Sequence, residues 1–96
     1  MAHSPDTLMW EVRAAAGRLA ELVEWIDGHI VSALRDRPGC RGVEVYQASA
    51  DERAVVIAHF DGEPVDLPEP PDELVRRPVH QWPFQLVLAE DAGSAT

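Results

Sequence analysis

The chain of 96 residues holds one cysteine, Cys40, and this excludes a disulfide framework within the chain. A lone thiol without a catalytic motif around it reads as a small buried residue and fits a reducing compartment, so a cytoplasmic protein is expected. No apolar run approaches the roughly 20 residues that a membrane helix needs, and no membrane association is expected. The opening Met1-Ala-His-Ser-Pro-Asp6 has no basic region followed by an apolar core, so no secretory signal is expected. Bases are scarce: 8 against 17 acids give a net charge of −9. Such a field repels phosphate backbones, and no basic stripe offsets it, which argues against nucleic-acid binding. The acids are spread from Glu11 to Glu73, as on a solvated acidic surface. No internal repeat, phosphate loop, dinucleotide fingerprint or nucleophile elbow is present. His3, His29, His59 and His80 show no metal-ligand spacing, and only His59 with Asp61, alternate residues of a strand, hints at one. No metal or cofactor is called for.

What is present is an order of elements. Leu8, Trp10 and Val12 alternate with Met9, Glu11 and Arg13, the period of a half-buried strand over Thr7 to Ala14. Gly17 stands at a permissive cap position, and a helix is predicted from Arg18 to Asp36. Leu19, Leu22, Val23, Ile26, Ile30, Ala33 and Leu34 fall in one arc at about 100° per residue, with Glu21, Glu24, Ser32 and Arg35 opposite. Gly28 lies inside the helix, through a close backbone approach or plain tolerance. Pro38-Gly39 ends the helix. Two strands follow, Arg41 to Ala48 and Arg53 to Phe60, joined by a small polar loop. Ala54-Val-Val-Ile-Ala58 is apolar on both faces, as in a strand covered on both sides. Glu63 to Pro71 reads as an extended connection, and Asp72 to Arg77 as one or two helical turns. Trp82 to Leu88 is predicted as the last strand, with Pro83 near its start. Residues 1–6 and 90–96 read as flexible tails around one domain over 7–89. The result is an α+β sandwich with a helix on one face of a mainly antiparallel sheet. One helix cannot cover both faces, and a second copy of the chain is the simplest cover for the other. A homodimer is therefore expected, which also suits so short a chain.

Three segments resemble the antibiotic biosynthesis monooxygenase-like proteins of the ferredoxin-like dimeric α+β barrel superfamily. They are Trp10-Glu-Val-Arg-Ala-Ala-Ala-Gly17, Leu34-Arg-Asp-Arg-Pro-Gly-Cys-Arg-Gly-Val-Glu-Val45 and the third strand from Ala54 to Phe60. The similarity covers roughly residues 7 to 61. It implies a ferredoxin-like fold, two sheets packed across a dimer axis, and small ligands bound against the helix-free sheet face. Members include cofactor-free monooxygenases acting on polycyclic phenols and haem-degrading enzymes. This chain departs from the pattern after the third strand, where the proline-rich Pro64 to Pro78 replaces most of the usual second helix.

If Leu8, Trp10 and Val12 face the helix, Glu11 and Arg13 face the other side, and Tyr46 with Glu44 can join them. A carboxylate, a guanidinium and a phenol could bind and deprotonate a phenolic substrate, whose anion would itself reduce oxygen. Glu11 and His59 are the candidate catalytic bases. Arg13, Tyr46, His80 and Trp82 are the candidate substrate-binding residues, with His80 able to act as a base or axial haem ligand and Trp82 as a stacking wall. Trp10 and Trp82 are both expected in core strands, and Trp25 off the helix stripe. The alternative set against a monooxygenase-like enzyme acting on a small aromatic compound is a non-catalytic ligand-binding or dimeric interaction module. In that case Glu11 and Arg13 serve only in ion pairs.

Overall fold

The structure, a computed structural model, describes residues 4–91. The tail assignments over residues 1–3 and 92–96 lie outside that range. Strand β1 (Thr7–Arg13) is followed by helix α1 (Leu19–Ile26), a π-helical turn (Asp27–Val31) and helix α2 (Ser32–Arg35), which run on without a break. Strands β2 (Cys40–Ala48) and β3 (Arg53–Phe60) form a hairpin, and β4 (His80–Phe84) closes the order. The four strands make one sheet, β2-β3-β1-β4, with every neighbouring pair antiparallel. This is a split β-α-β arrangement: β3 lies between the two strands that the helix connects.

Alternation decides the faces. Leu8, Trp10, Val12 and Ala14 of β1 and Ala54, Val56, Ala58 and Phe60 of β3 are buried with Leu22, Ile26, Ile30 and Leu34 of the helix. The four helical core residues are each four apart, and a regular helix drifts about 40° at each such step. The wider π turn takes up part of that drift and keeps Ile30 and Leu34 facing the sheet. It also rotates Ala33 to an exposed position, where regular periodicity had placed it in the stripe. Ser32 Oγ donates to the Gly28 carbonyl within this turn, a side-chain bond of the kind that loosens the regular ladder. A Cβ at Gly28 would meet nothing within 4 Å, so tolerance, not close approach, accounts for this glycine. Gly17 (φ +76°) precedes the helix in a turn and Arg18 is the residue at the cap, one position later than expected. Gly39 (φ +88°) turns the chain into β2, in the left-handed conformation that glycine adopts without strain.

The proline-rich connection folds on the helix side of its own sheet. Leu67 and Leu74 enter the core, and Val65, Val75 and Val79 pack against it. The Gln81 carboxamide holds Leu67 from both ends, accepting from its amide N–H at 3.1 Å and donating to its carbonyl at 3.3 Å. Only one 3₁₀ turn, Asp72–Leu74, forms where one or two helical turns were expected, because Val75 is already extended and bridges Ala14. The core thus has a helix and an irregular strap on one side of the sheet, and the other side has neither.

Strand β4 starts two residues earlier and ends four residues earlier than its hydropathy predicts. It stops where its partner stops: Thr7, the first residue of β1, pairs with Phe84, the last of β4. Pro83 is therefore the fourth of five residues, tolerated because β4 is an edge strand. Beyond it Leu86, Val87 and Leu88 are exposed. Trp82, expected in the core, is 43% exposed on the open side, whereas Trp10 is fully buried.

Candidate functional site on the open sheet face

Because Leu8, Trp10 and Val12 point to the helix, every alternate residue of β1 points away from it, and the register extends this to all four strands. The open face reads as successive rows across the sheet. One row carries Arg53 and Arg13. The next carries Tyr46, Val55, Glu11 and His80, then Glu44, Ile57, Met9 and Trp82, and finally His59, Thr7 and Phe84. All six candidate site residues, Glu11, Arg13, Tyr46, His59, His80 and Trp82, are thus on this one face. Tyr46, Trp82 and Phe84 are exposed there, and Met9, Val55 and Ile57 are half-buried. The continuous apolar run of β3 expresses this: its second face is apolar, and among the described residues neither the helix nor the strap covers it.

The face does not gather the six residues into one site. A hollow of about 110 Å³ at one end is lined by Glu11, Arg13 and His80 together with Arg53, Arg77 and Pro78. Tyr46 shares the row of Glu11 but lies two strand spacings away, about 10 Å. The His80 and Trp82 rings meet edge to face with centroids 5.6 Å apart, so Trp82 adjoins the hollow. His59 lies four residues along β3 from Val55, the partner of Glu11, which is roughly 13 Å. The two candidate bases therefore cannot serve one reacting atom of a small ligand.

Both carboxylates on this face already have partners. Glu11 Oε2 lies 3.2 Å from Arg53 Nε, and Asp51 Oδ2 lies 3.6 Å from Arg53 Nη2. Glu44 Oε1 lies 3.0 Å from His59 Nε2. The pairing of Glu11 is with Arg53 on the neighbouring strand, not with Arg13 on its own. Asp61 lies past the end of β3 and faces Arg41 at 3.5 Å, so the alternation that linked it to His59 does not extend that far. Among the described residues no three His, Cys, Asp or Glu side chains gather as a metal site. Cys40 is half-buried against the core, and its thiol points to the Gly42 carbonyl at 3.7 Å. Trp25 sits off the stripe and stacks on His29 on the far side of the molecule.

Sequence reasoning missed Arg53 and Arg77. Arg53 could have been found by running the alternation of Val55 and Ile57 back by two. Arg77 could not, since it reaches the hollow only because Arg76 N–H donates to the Arg13 carbonyl at 2.8 Å and ties the strap to the end of β1.

These elements define an α+β protein with a helix on one face of a four-stranded antiparallel sheet. The solved structure of Rv0793 from Mycobacterium tuberculosis superimposes with a TM-score of 0.64, covering 95% of this chain and 100% of that one at 17% identity. At that identity the likeness is one of fold. No family model matches the chain, and no curated protein matches it. Among the described residues no helix is long and apolar enough to cross a membrane.

Proposed function

We propose that the chain is an antibiotic biosynthesis monooxygenase-like protein that pairs with a second copy through its open sheet face and binds a small aromatic compound there. The observation that carries this reading is the composition of that face: an apolar centre of Met9, Ile57 and Trp82 bordered by Glu11, Arg13, Tyr46 and His80, covered by neither the helix nor the strap. A second sheet laid on it would convert the end hollow into a closed pocket. Exclusion of water would then strengthen each polar contact inside. The likeness of fold to Rv0793 supports the reading.

In this reading Glu11 takes the phenolic proton of a small aromatic substrate, and Arg13 beside it in the hollow steadies the resulting oxyanion. The electron-rich anion then reduces oxygen directly: one oxygen atom enters the ring as a carbonyl and the other leaves as water. No cofactor is required for that balance. Glu11 is the better of the two candidate bases because it alone lines the hollow. The test is oxygen uptake against a set of polycyclic phenols. Glu11→Gln is expected to lower the rate at least 100-fold, and His59→Ala to leave it within about threefold. An authentic activity unchanged by Glu11→Gln would overturn the catalytic assignment.

A second reading has its own observation. Glu11 with Arg53 forms an ion pair, and His59 with Glu44 a hydrogen bond, both of the kind that structure alone explains. In that case the face serves ligand binding or dimerisation without chemistry, and no phenol is turned over.

A further inference from the structure

We propose that the hollow at the end of the open face is an oxyanion subsite, matched in charge to the carboxylate of an aromatic acid. The proposal rests on the reading of this face as a ligand site and goes further, to the charge of the ligand. The molecule carries −9 overall, yet three of its eight bases converge here: Arg13, Arg53 and Arg77. Arg13 and Arg53 stand directly opposite each other on β1 and β3. Like charges in that relation destabilise a sheet, and Arg53 has carboxylate partners that offset this whereas Arg13 has none within salt-bridge distance among the described residues. Glu11 and Asp51 flank Arg53. Among the described residues Arg13 and Arg77 have no carboxylate within 4.0 Å, so the hollow keeps an uncompensated positive charge.

Every one of the eight bases is an arginine. The planar guanidinium fork matches a carboxylate with two parallel hydrogen bonds, which an ammonium cannot do. The hollow, about 110 Å³ and open to solvent, has room for a carboxylate. The ring would lie outward over His80 and Trp82, whose edge-to-face pair offers an apolar wall beside the charge.

The test uses the full chain at fixed ionic strength, titrated with 2-naphthoate and with its neutral analogue 2-naphthamide. Naphthoate is expected to bind at least tenfold more tightly. The Arg13→Gln, Arg77→Gln double variant is expected to bring the two within twofold while keeping its affinity for the amide, which shows that it still folds. Equal affinities in the native protein, or a preference for naphthoate that survives in the variant, would overturn the subsite. If neither aromatic compound binds, sulfate titration separates the two claims. Shifts of the Arg13 and Arg77 side-chain N–H resonances would uphold the anion site and remove the aromatic reading, and no shift at either would remove both.

Discussion

Glu52 shows how much one side chain can organise. It closes the β2–β3 hairpin in the left-handed conformation (φ 51°), and its carbonyl accepts the Ala14 N–H at 2.8 Å. Its carboxylate accepts the Gly17 N–H at 2.7 Å and meets Arg76 at 3.2 Å. The hairpin, the entry to the helix and the strap that carries Arg77 are thus tied at one residue. Glu52→Ala keeps the backbone strain and loses both contacts, and a loss of about 1–3 kcal/mol is expected in urea unfolding. Asp6 ties the other end. Hydrogen bonds from the Leu86 N–H and the Thr7 hydroxyl hold its carboxyl below the usual carboxylate range. A lowered folded value means that Asp6 stabilises the fold above its unfolded value of about 3.9, and that this is lost as pH falls through the lower folded value. Unfolding midpoints measured from pH 5 to pH 2 should therefore fall less steeply in Asp6→Asn. Apart from the bond between neighbours Thr7 and Asp6, these ties were not legible in the sequence, since they join residues far apart in the chain through side chains with no pattern of their own.

At the scale of elements, β1 and the helix were legible from their apolar periods, and β3 from its continuous apolar run. The end of β4 was not. The apolar Leu86-Val-Leu88 continues the strand pattern, but a strand ends where its partner ends, and β1 begins only at Thr7. The π turn was equally hidden: seven apolar residues fit a regular stripe, and only the packed helix shows that Ala33 is turned out. Because nothing lies within 4 Å of a Cβ at Gly28, Gly28→Ala is expected to stabilise the chain by about 0.5–1 kcal/mol, read as a higher urea midpoint at constant slope. The strap depends on Gln81. Gln81→Ala leaves both backbone groups of buried Leu67 without their partner, so a loss of about 1–3 kcal/mol and faster proteolysis within residues 61–79 are expected.

Over the whole molecule, the placement of the strap decides the architecture. It is long and apolar enough to have covered the second sheet face, and instead Leu67 and Leu74 join the helix side. The face with Met9, Ile57, Trp82 and Phe84 is left with polar groups at one end and the exposed Leu86, Val87 and Leu88 beside it. That all six candidate site residues share this face was legible from alternation and strand order alone. That Glu11 and His59 lie too far apart to cooperate was not, because strand spacing gives the face but the register gives the row. A single charge placed in the apolar centre should oppose pairing without disturbing the helix-side core, so Ile57→Arg is expected to dissociate a dimer while the chain stays folded. Sedimentation equilibrium over a wide concentration range decides whether the open face pairs. The native protein is expected at twice the 10.6 kDa of one chain, and Ile57→Arg at the mass of one. A single-chain mass for the native protein at every concentration would contradict that pairing, and with it the closed pocket on which the proposed chemistry depends.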